Sequence, residues 1–498
     1  MAWVFGVCFD ELMRLRKRPV QSCCFGTDGG IMTLRRLSRA LIVLATSMIV
    51  LLPMMLGANA GEGHGVDSLH AVVLEALRSN PELGAVRFNR GAVDEELRAA
   101  RATGLPSVDL RSGIGRERSR TKNGLGLTSD DPWRTGRDVS LVMSQRIFDG
   151  FERGNEVLRQ KNRVDSARWR VADTANSIAL RTVQSYLELQ RAQSVLEAAQ
   201  GNLSALQKLD SHVRDRVSAG HGDQGDRTES ASRVENAKAL VFEARERVGI
   251  AIALFREVVG RTPARLAAAR LPTHALPSSI SLAVEEARQA APSIVATEHD
   301  TKAADAAVGS AYSHLYPKLN FEMSTYHGKS IDEKNDYQND LRGMFVVRWS
   351  LFDGGANYAR IREAKARANE AAEVAENTKR IVERETRVSW NAMMRARDRA
   401  PALRRQLNLA RATRETYYDQ FTSGTRRLLD LLDAQSEVFT ADAAYRTEKF
   451  YGSFNTFRVL AAMGQLVAAL GLEMPSEAIR EHQPSVLDGW VSVVRATR

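Results

Sequence analysis

What this 498-residue chain lacks narrows the possibilities first. It has three cysteines, Cys8, Cys23 and Cys24, so nothing after residue 24 can form a disulfide, a thiolate site or a lipid-anchoring cysteine. Its nine histidines (His64, His70, His212, His221, His274, His299, His314, His327, His482) are scattered, with no H-E-x-x-H and no paired metal spacing. No serine or carboxylate constellation marks a catalytic centre, so the chain does not read as an enzyme and calls for neither cofactor nor metal. Concentrated positive charge is missing as well. The formal net charge is +10, but residues 1–60 hold seven Lys/Arg against three acids, leaving about +6 spread among acids along helical segments. A nucleic-acid binder gathers its basic residues on one stripe, which this chain does not.

One long apolar run is present. Residues 32–60 read MTLRRLSRALIVLATSMIVLLPMMLGANA: three arginines, an apolar stretch from Ala40 to Leu56, then Ala58-Asn59-Ala60. That order is the n-region, h-region and A-x-A site of a secretory signal peptide, with cleavage expected after Ala60 and Met32 as the expected start. Residues 1–60 are therefore a leader outside the mature chain. A retained transmembrane anchor is the competing reading of the same run.

Residues 220–226, GHGDQGD, contain the G-x-G-x-x-G spacing of dinucleotide-binding sites. The fingerprint requires a buried strand before it and a helix after it, so that the helix N-terminus meets a pyrophosphate. Here apolar heptads precede it, and the glycines read as helix stops.

The heptads belong to an internal repeat. QRIFDGFERGNEV (145–157) and WSLFDGGANYARI (349–361) share Phe-Asp-Gly at a separation of 204. From Val157 to Val213, and again from Ile361 to Tyr417, every seventh residue is apolar except Ser185 and its counterpart Ser389. A strict period of seven marks left-handed supercoiled helices, and segments 155–217 and 355–421 would each be roughly 95–100 Å long. Pro401 should kink the second. Return helices are expected over about 227–258 and 427–470. Upstream, Pro81 and Pro292, and Pro106 and Pro317, recur at a separation of 211 and bound another helix in each half. Two repeats, 61–260 and 281–472, are thus expected around a proline-containing linker, 261–280, with a tail over 473–498.

Between the helices the period falls to two. Residues 107–115, 138–148, 318–326 and 343–352 form two strand pairs, 107–148 and 318–352; Val108, Leu110 and Ile114 alternate with Asp109 and Arg111, and Leu319, Phe321 and Met323 with Asn320 and Glu322. Stretches of about ten alternating residues match tilted membrane-spanning strands, although a soluble hairpin with one wet face has the same pattern. The polar segments 116–137 and 328–340 would be the external loops. Four strands cannot close a barrel, and two free edges in lipid cost tens of kcal/mol, on the order of several per unpaired backbone group. The membrane reading therefore requires several copies to share one barrel. The fold class expected is a mixed α+β membrane protein: a long α-helical coiled-coil barrel plus a transmembrane β-barrel, four strands per protomer, from two internal repeats.

On these features the chain resembles the TolC-like outer-membrane channels of efflux pumps and type I secretion systems. The resemblance covers about 68–472. It is most specific in SGTRRLLDLLDAQSEVFTADAAY (423–445), and LAAMGQLVAALGL (460–472) is similar to secretion-type members. It implies a homotrimer with a twelve-stranded barrel in the outer membrane and a periplasmic helical tunnel. A periplasmic adaptor and an inner-membrane transporter, ABC-type or proton-driven, would be its partners. The implied function is an exit duct, most simply for type I protein secretion, with multidrug or small-molecule efflux as the alternative; a structural periplasmic coiled-coil protein is the reading from another class. The resemblance further implies a gate at the helix tips, after the turn glycines Gly220 and Gly424. By position its residues are Arg426, Asp430 and Asp433, with Asp226 facing them from the first repeat. Asp430 and Asp433 are three apart and would share a helix face, making two carboxylate rings under threefold symmetry; the other role open to them, compatible with gating, is an N-cap and first-turn dipole role at the helix start. Where the family often has a gate tyrosine, this chain has Phe421.

Overall fold

The computed structural model describes residues 66–479 apart from 119, 123–127, 131–132 and 330–336. The expected leader, the middle of both polar loops and the end of the tail lie outside the described residues.

Two helices of 67 residues dominate: α3 (Glu152–Ser218) and α7 (Ala356–Thr422), displaced by 204 positions. Each begins at the corner made by the shared Phe-Asp-Gly. In the first, the Asp149 carboxylate accepts from the Arg153 N–H (3.1 Å). In the second, Asp353 accepts from Gly355 (3.1 Å) and Asn357 (2.8 Å). The aspartate thus satisfies N–H groups that a helix start leaves without partners. The chain turns there through left-handed residues: Gly150 and Phe151 in one corner, Gly354 and Gly355 in the other. Gly150 also has no room for a side chain, since a Cβ would lie 2.7 Å from the Ser313 carbonyl oxygen.

Shorter helices flank the long ones: α1 (Leu69–Ser79), α2 (Pro81–Ala102), α4 (Gln224–Val259), α5 (Ile280–Ala290), α6 (Pro292–Tyr312) and α8 (Leu428–Ala462). Near the strands the packing order is α2, α3, α6, α7; toward the far turns it is α4, α3, α8, α7. α7 is continuous through Pro401, which has no N–H for the Arg397 carbonyl. α8 stops at Gly464 (φ +74°), followed by α9 (Leu466–Ala469) and α10 (Ser476–Ile479). Where the sequence suggested one return helix to 470, that glycine breaks it. Among the described residues no helix is long and apolar enough to cross a membrane.

Halfway along α3 the layers are bound by a core of Val72, Val73 and Ala76, Ile178, Val183 and Tyr186, Phe255, Phe457 and Leu460. A polar clasp lies beside it. The strands β1 (Val66–Asp67) and β6 (Arg265–Leu266) pair in parallel, and Arg261 bridges Asp67 (2.8 and 3.0 Å) and Glu75 (2.9 and 3.0 Å). The Arg261 hydrogen bonds hold the Asp67 carboxyl below its ordinary value. The Tyr186 hydroxyl lies 2.9 Å from the Asp67 carbonyl oxygen, and burial pushes its pKa up to about 12.

At the other end β2 (Ser107–Glu117), β5 (Arg134–Phe148), β7 (Lys318–Lys329) and β8 (Tyr337–Arg348) form an antiparallel sheet in that order. Two short strands, β3 (Arg120–Lys122) and β4 (Thr128–Asp130), pair between β2 and β5. The register aligns the alternation of all four long strands. Val108, Leu110 and Ile114, Val139, Leu141 and Met143, Phe321 and Met323, and Leu341, Phe345 and Val347 share one face. The other carries Asp109, Arg111, Asp138, Glu322, Asp340 and Arg342. The fourth strand ends at Arg348, short of the expected Phe352. Lys318, next to Pro317, is the last partner available to it, and Trp349 instead donates its indole N–H to the Leu315 carbonyl (3.1 Å).

Candidate functional site

Both long helices end the same way because both sequences carry the same stop. Gly220 (φ +78°) and His221 donate their N–H groups to the carbonyls of Val217 (3.0 Å) and Arg216 (2.9 Å). Gly424 (φ +81°) and Thr425 donate to Phe421 (3.1 Å) and Gln420 (2.9 Å). These are Schellman closures, in which a left-handed glycine lets the last carbonyls find donors. A helix rather than a buried strand precedes GHGDQGD, so the frame of a dinucleotide site is not there.

Beyond Gly424, Arg426 ties its own hairpin together. Its Nε donates to the Gln420 side-chain oxygen (3.1 Å), its guanidinium lies 3.8 Å from the Tyr417 ring centre, and it reaches Asp430 at 3.7 Å. Asp430 also meets Arg427 (3.5 Å). Asp433, three residues on and 61% exposed, pairs with Arg233 of α4 (3.2 Å) instead. The two carboxylates therefore belong to different ion pairs, one within the second hairpin and one between hairpins. Neither caps α8: its N-cap is Arg427, without a side-chain bond, and Asp430 lies in its first turn. Asp226 is half-buried in the first turn of α4 and makes no ion pair among the described residues. The cap there is Asp223, which accepts from the Gly225 N–H (3.2 Å).

Phe421 is 5% exposed and packs among Leu206, Leu209 and Val213 of α3, Val234 of α4, and Leu428, Leu431 and Leu432 of α8. It is an anchor of the core behind the turns. Several residues of this region carry no sequence signal, because each partner lies some two hundred positions away. Arg216 donates to the Phe421 carbonyl (3.0 Å) and stacks over its ring at 4.7 Å. The Tyr418 hydroxyl meets His212 Nδ1 at 3.2 Å. Deeper, Gln435 donates to Asn202 (2.9 Å) in a buried pair. Among the described residues no group of three or more metal-ligating side chains converges.

Residues 72–261 and 283–448 match the family described as outer membrane efflux protein. The chain is 24% identical over 426 residues to the outer membrane efflux protein BepC of Brucella suis, covering 85% of this chain and 91% of that one. It is 26% identical over 419 residues to the proteases secretion protein PrtF of Dickeya chrysanthemi, covering 79% and 87%. The fold is similar to that of the CmeC outer membrane channel of Campylobacter jejuni, with a TM-score of 0.72 at 17% identity, covering 80% of this chain and 86% of that one.

Proposed function

The chain belongs to the outer membrane efflux protein family, and from that premise we propose that three copies form the exit duct of a tripartite export machine, closed at its periplasmic end by the helix-hairpin turns. It is an outer-membrane channel protein with a helical periplasmic part, and not an enzyme. In the proposed assembly each copy is built of two repeats, 61–260 and 281–472, and contributes four strands, within 107–148 and 318–348, to a twelve-stranded barrel. An adaptor in the periplasm and an inner-membrane transporter, ABC-type or proton-driven, deliver the cargo.

The observation that carries this reading is the sheet. Eleven apolar side chains from four strands share one face, and both edges, β2 and β8, are open among the described residues. In lipid the apolar face is favourable, but the unpaired edge groups cost on the order of tens of kcal/mol in total. Joining β8 of one copy to β2 of the next removes both edges, and an even number of strands results. The helices support the same closure. α4 and α7 are the outer members of the turn-side layer and expose Phe242, Ile250 and Leu254, and Leu409, while α2 and α7 bound the strand-side layer and expose Phe88, and Val374 and Ile381. Aromatic residues where strands become helices, Phe151, Tyr316, Trp349 and Phe352, suit a membrane interface.

Type I protein secretion is the cargo class favoured, on the C-terminal segment 460–472 and the relative named for protease secretion. The relative named for efflux favours small molecules as the second reading. Gene deletion separates them: loss of an extracellular protein supports secretion, and sensitivity to drugs without such loss supports efflux. The duct itself is tested by reconstitution in planar bilayers, where the mature protein should show discrete conductance; protein released from membranes by carbonate, giving no conductance, contradicts it.

A further inference from the structure

We propose that Arg216 is the latch that holds the second hairpin shut against the first, through the main chain and ring of Phe421. This rests on the gate reading above and assigns it a residue. With Phe421 buried and without a polar atom on its side chain, any hydrogen bond between the hairpins at that position must come from other groups. Near the turns, among the described residues, three polar contacts cross between them: Arg216 to Phe421, His212 to Tyr418, and Arg233 to Asp433. The last two each join an exposed side chain, His212 or Asp433, to a half-buried one, Tyr418 or Arg233, and water and salt compete with the contact at the exposed partner.

Arg216 differs in what it holds. Its acceptor is the Phe421 carbonyl, one of the last-turn carbonyls of α7, where the helix end carries partial negative charge that favours a cation. The same guanidinium lies over the Phe421 ring, so one planar group makes a hydrogen bond and a cation–π contact to a single residue. Phe421 is in turn fixed by the tip core from α3, α4 and α8. Because the bond is to main chain, it holds the end of α7 itself and not a side chain that could swing away. Moving the end of α7 off α3 breaks both interactions together, which makes the contact a switch between two arrangements and not a graded one.

Arg216 is a positioning residue, and conductance of purified trimers in planar bilayers tests it. Arg216→Ala should raise open probability at least tenfold, corresponding to about 1.4 kcal/mol, with the melting temperature of the trimer unchanged. Arg216→Lys, which keeps the charge but not the planar stack, should fall between wild type and Arg216→Ala. Phe421→Leu, which keeps the carbonyl and removes the ring, should also open the channel, by less than Arg216→Ala. If Arg216→Ala does not assemble, the Lys and Leu variants decide: both as closed as wild type overturns the latch. Arg426→Ala serves as the reference for the gate. If it opens the channel and the Arg216 variants do not, the latch is wrong and the gate stands; if no tip variant changes conductance, the gate reading itself fails.

Discussion

Placing an arginine at Leu110 should prevent insertion, whereas removing one at the neighbouring Arg111 should not. Leu110 is 71% exposed, lies opposite Leu141 in register, and stands on the apolar face of the sheet. A charged side chain facing lipid near mid-bilayer costs about 2–4 kcal/mol, so three copies would pay about 6–12 kcal/mol in one barrel. Arg111, paired with Ser140, is on the polar face, and Arg111→Leu leaves the lipid contact unchanged. The assay is outer-membrane fractionation combined with SDS resistance of the oligomer. Leu110→Arg should leave the membrane fraction, and Arg111→Leu should remain in it as oligomer. Were the sheet a soluble hairpin with its apolar face on a partner, the charge would not separate the two variants by membrane content. Leu110→Arg inserting as well as wild type would refute the assignment of faces.

Other outcomes follow from local geometry. Gly424→Val forces a β-branched residue into φ +81° and should cost at least about 1–2 kcal/mol per chain, whereas Gly201→Ala, within α3 with open space around it, should gain up to about 1 kcal/mol; thermal melts of both check this. Asp67→Asn should lower the melting temperature at neutral pH by an amount corresponding to about 1.5–3 kcal/mol for lost charged hydrogen bonds. Because the Asp67 carboxyl is held below its ordinary value of 3.8, this stability is complete above that value and is lost as pH falls through the depressed one, so melts should converge in strong acid. Asp430→Ala with Asp433→Ala should reduce cation selectivity and cation block in bilayers; unchanged ion selectivity would remove both carboxylates from the pore.

The long helices were legible because a seven-residue period constrains every turn: the heptads beginning at Val157 and Ile361 lie within helices starting at Glu152 and Ala356. Strands were legible for the same reason at period two, but their ends were not. Trp349-Ser350-Leu351-Phe352 looks like a strand, yet β8 ends where its partner does, a fact of pairing and not of composition. The turn glycines could be read from position alone. The contacts around them could not, since Arg216 meets Phe421, and Arg233 meets Asp433, only after two hairpins pack. Spacing likewise placed Asp430 and Asp433 on one helix face but gave no account of the arginines that draw them apart.

The most direct measurement is the mass of the mature protein extracted in mild detergent, determined by native mass spectrometry or light scattering. Three chains, resistant to dissociation until the barrel unfolds, is the predicted result. A single chain, stable in water without detergent, would contradict the shared barrel and with it the duct.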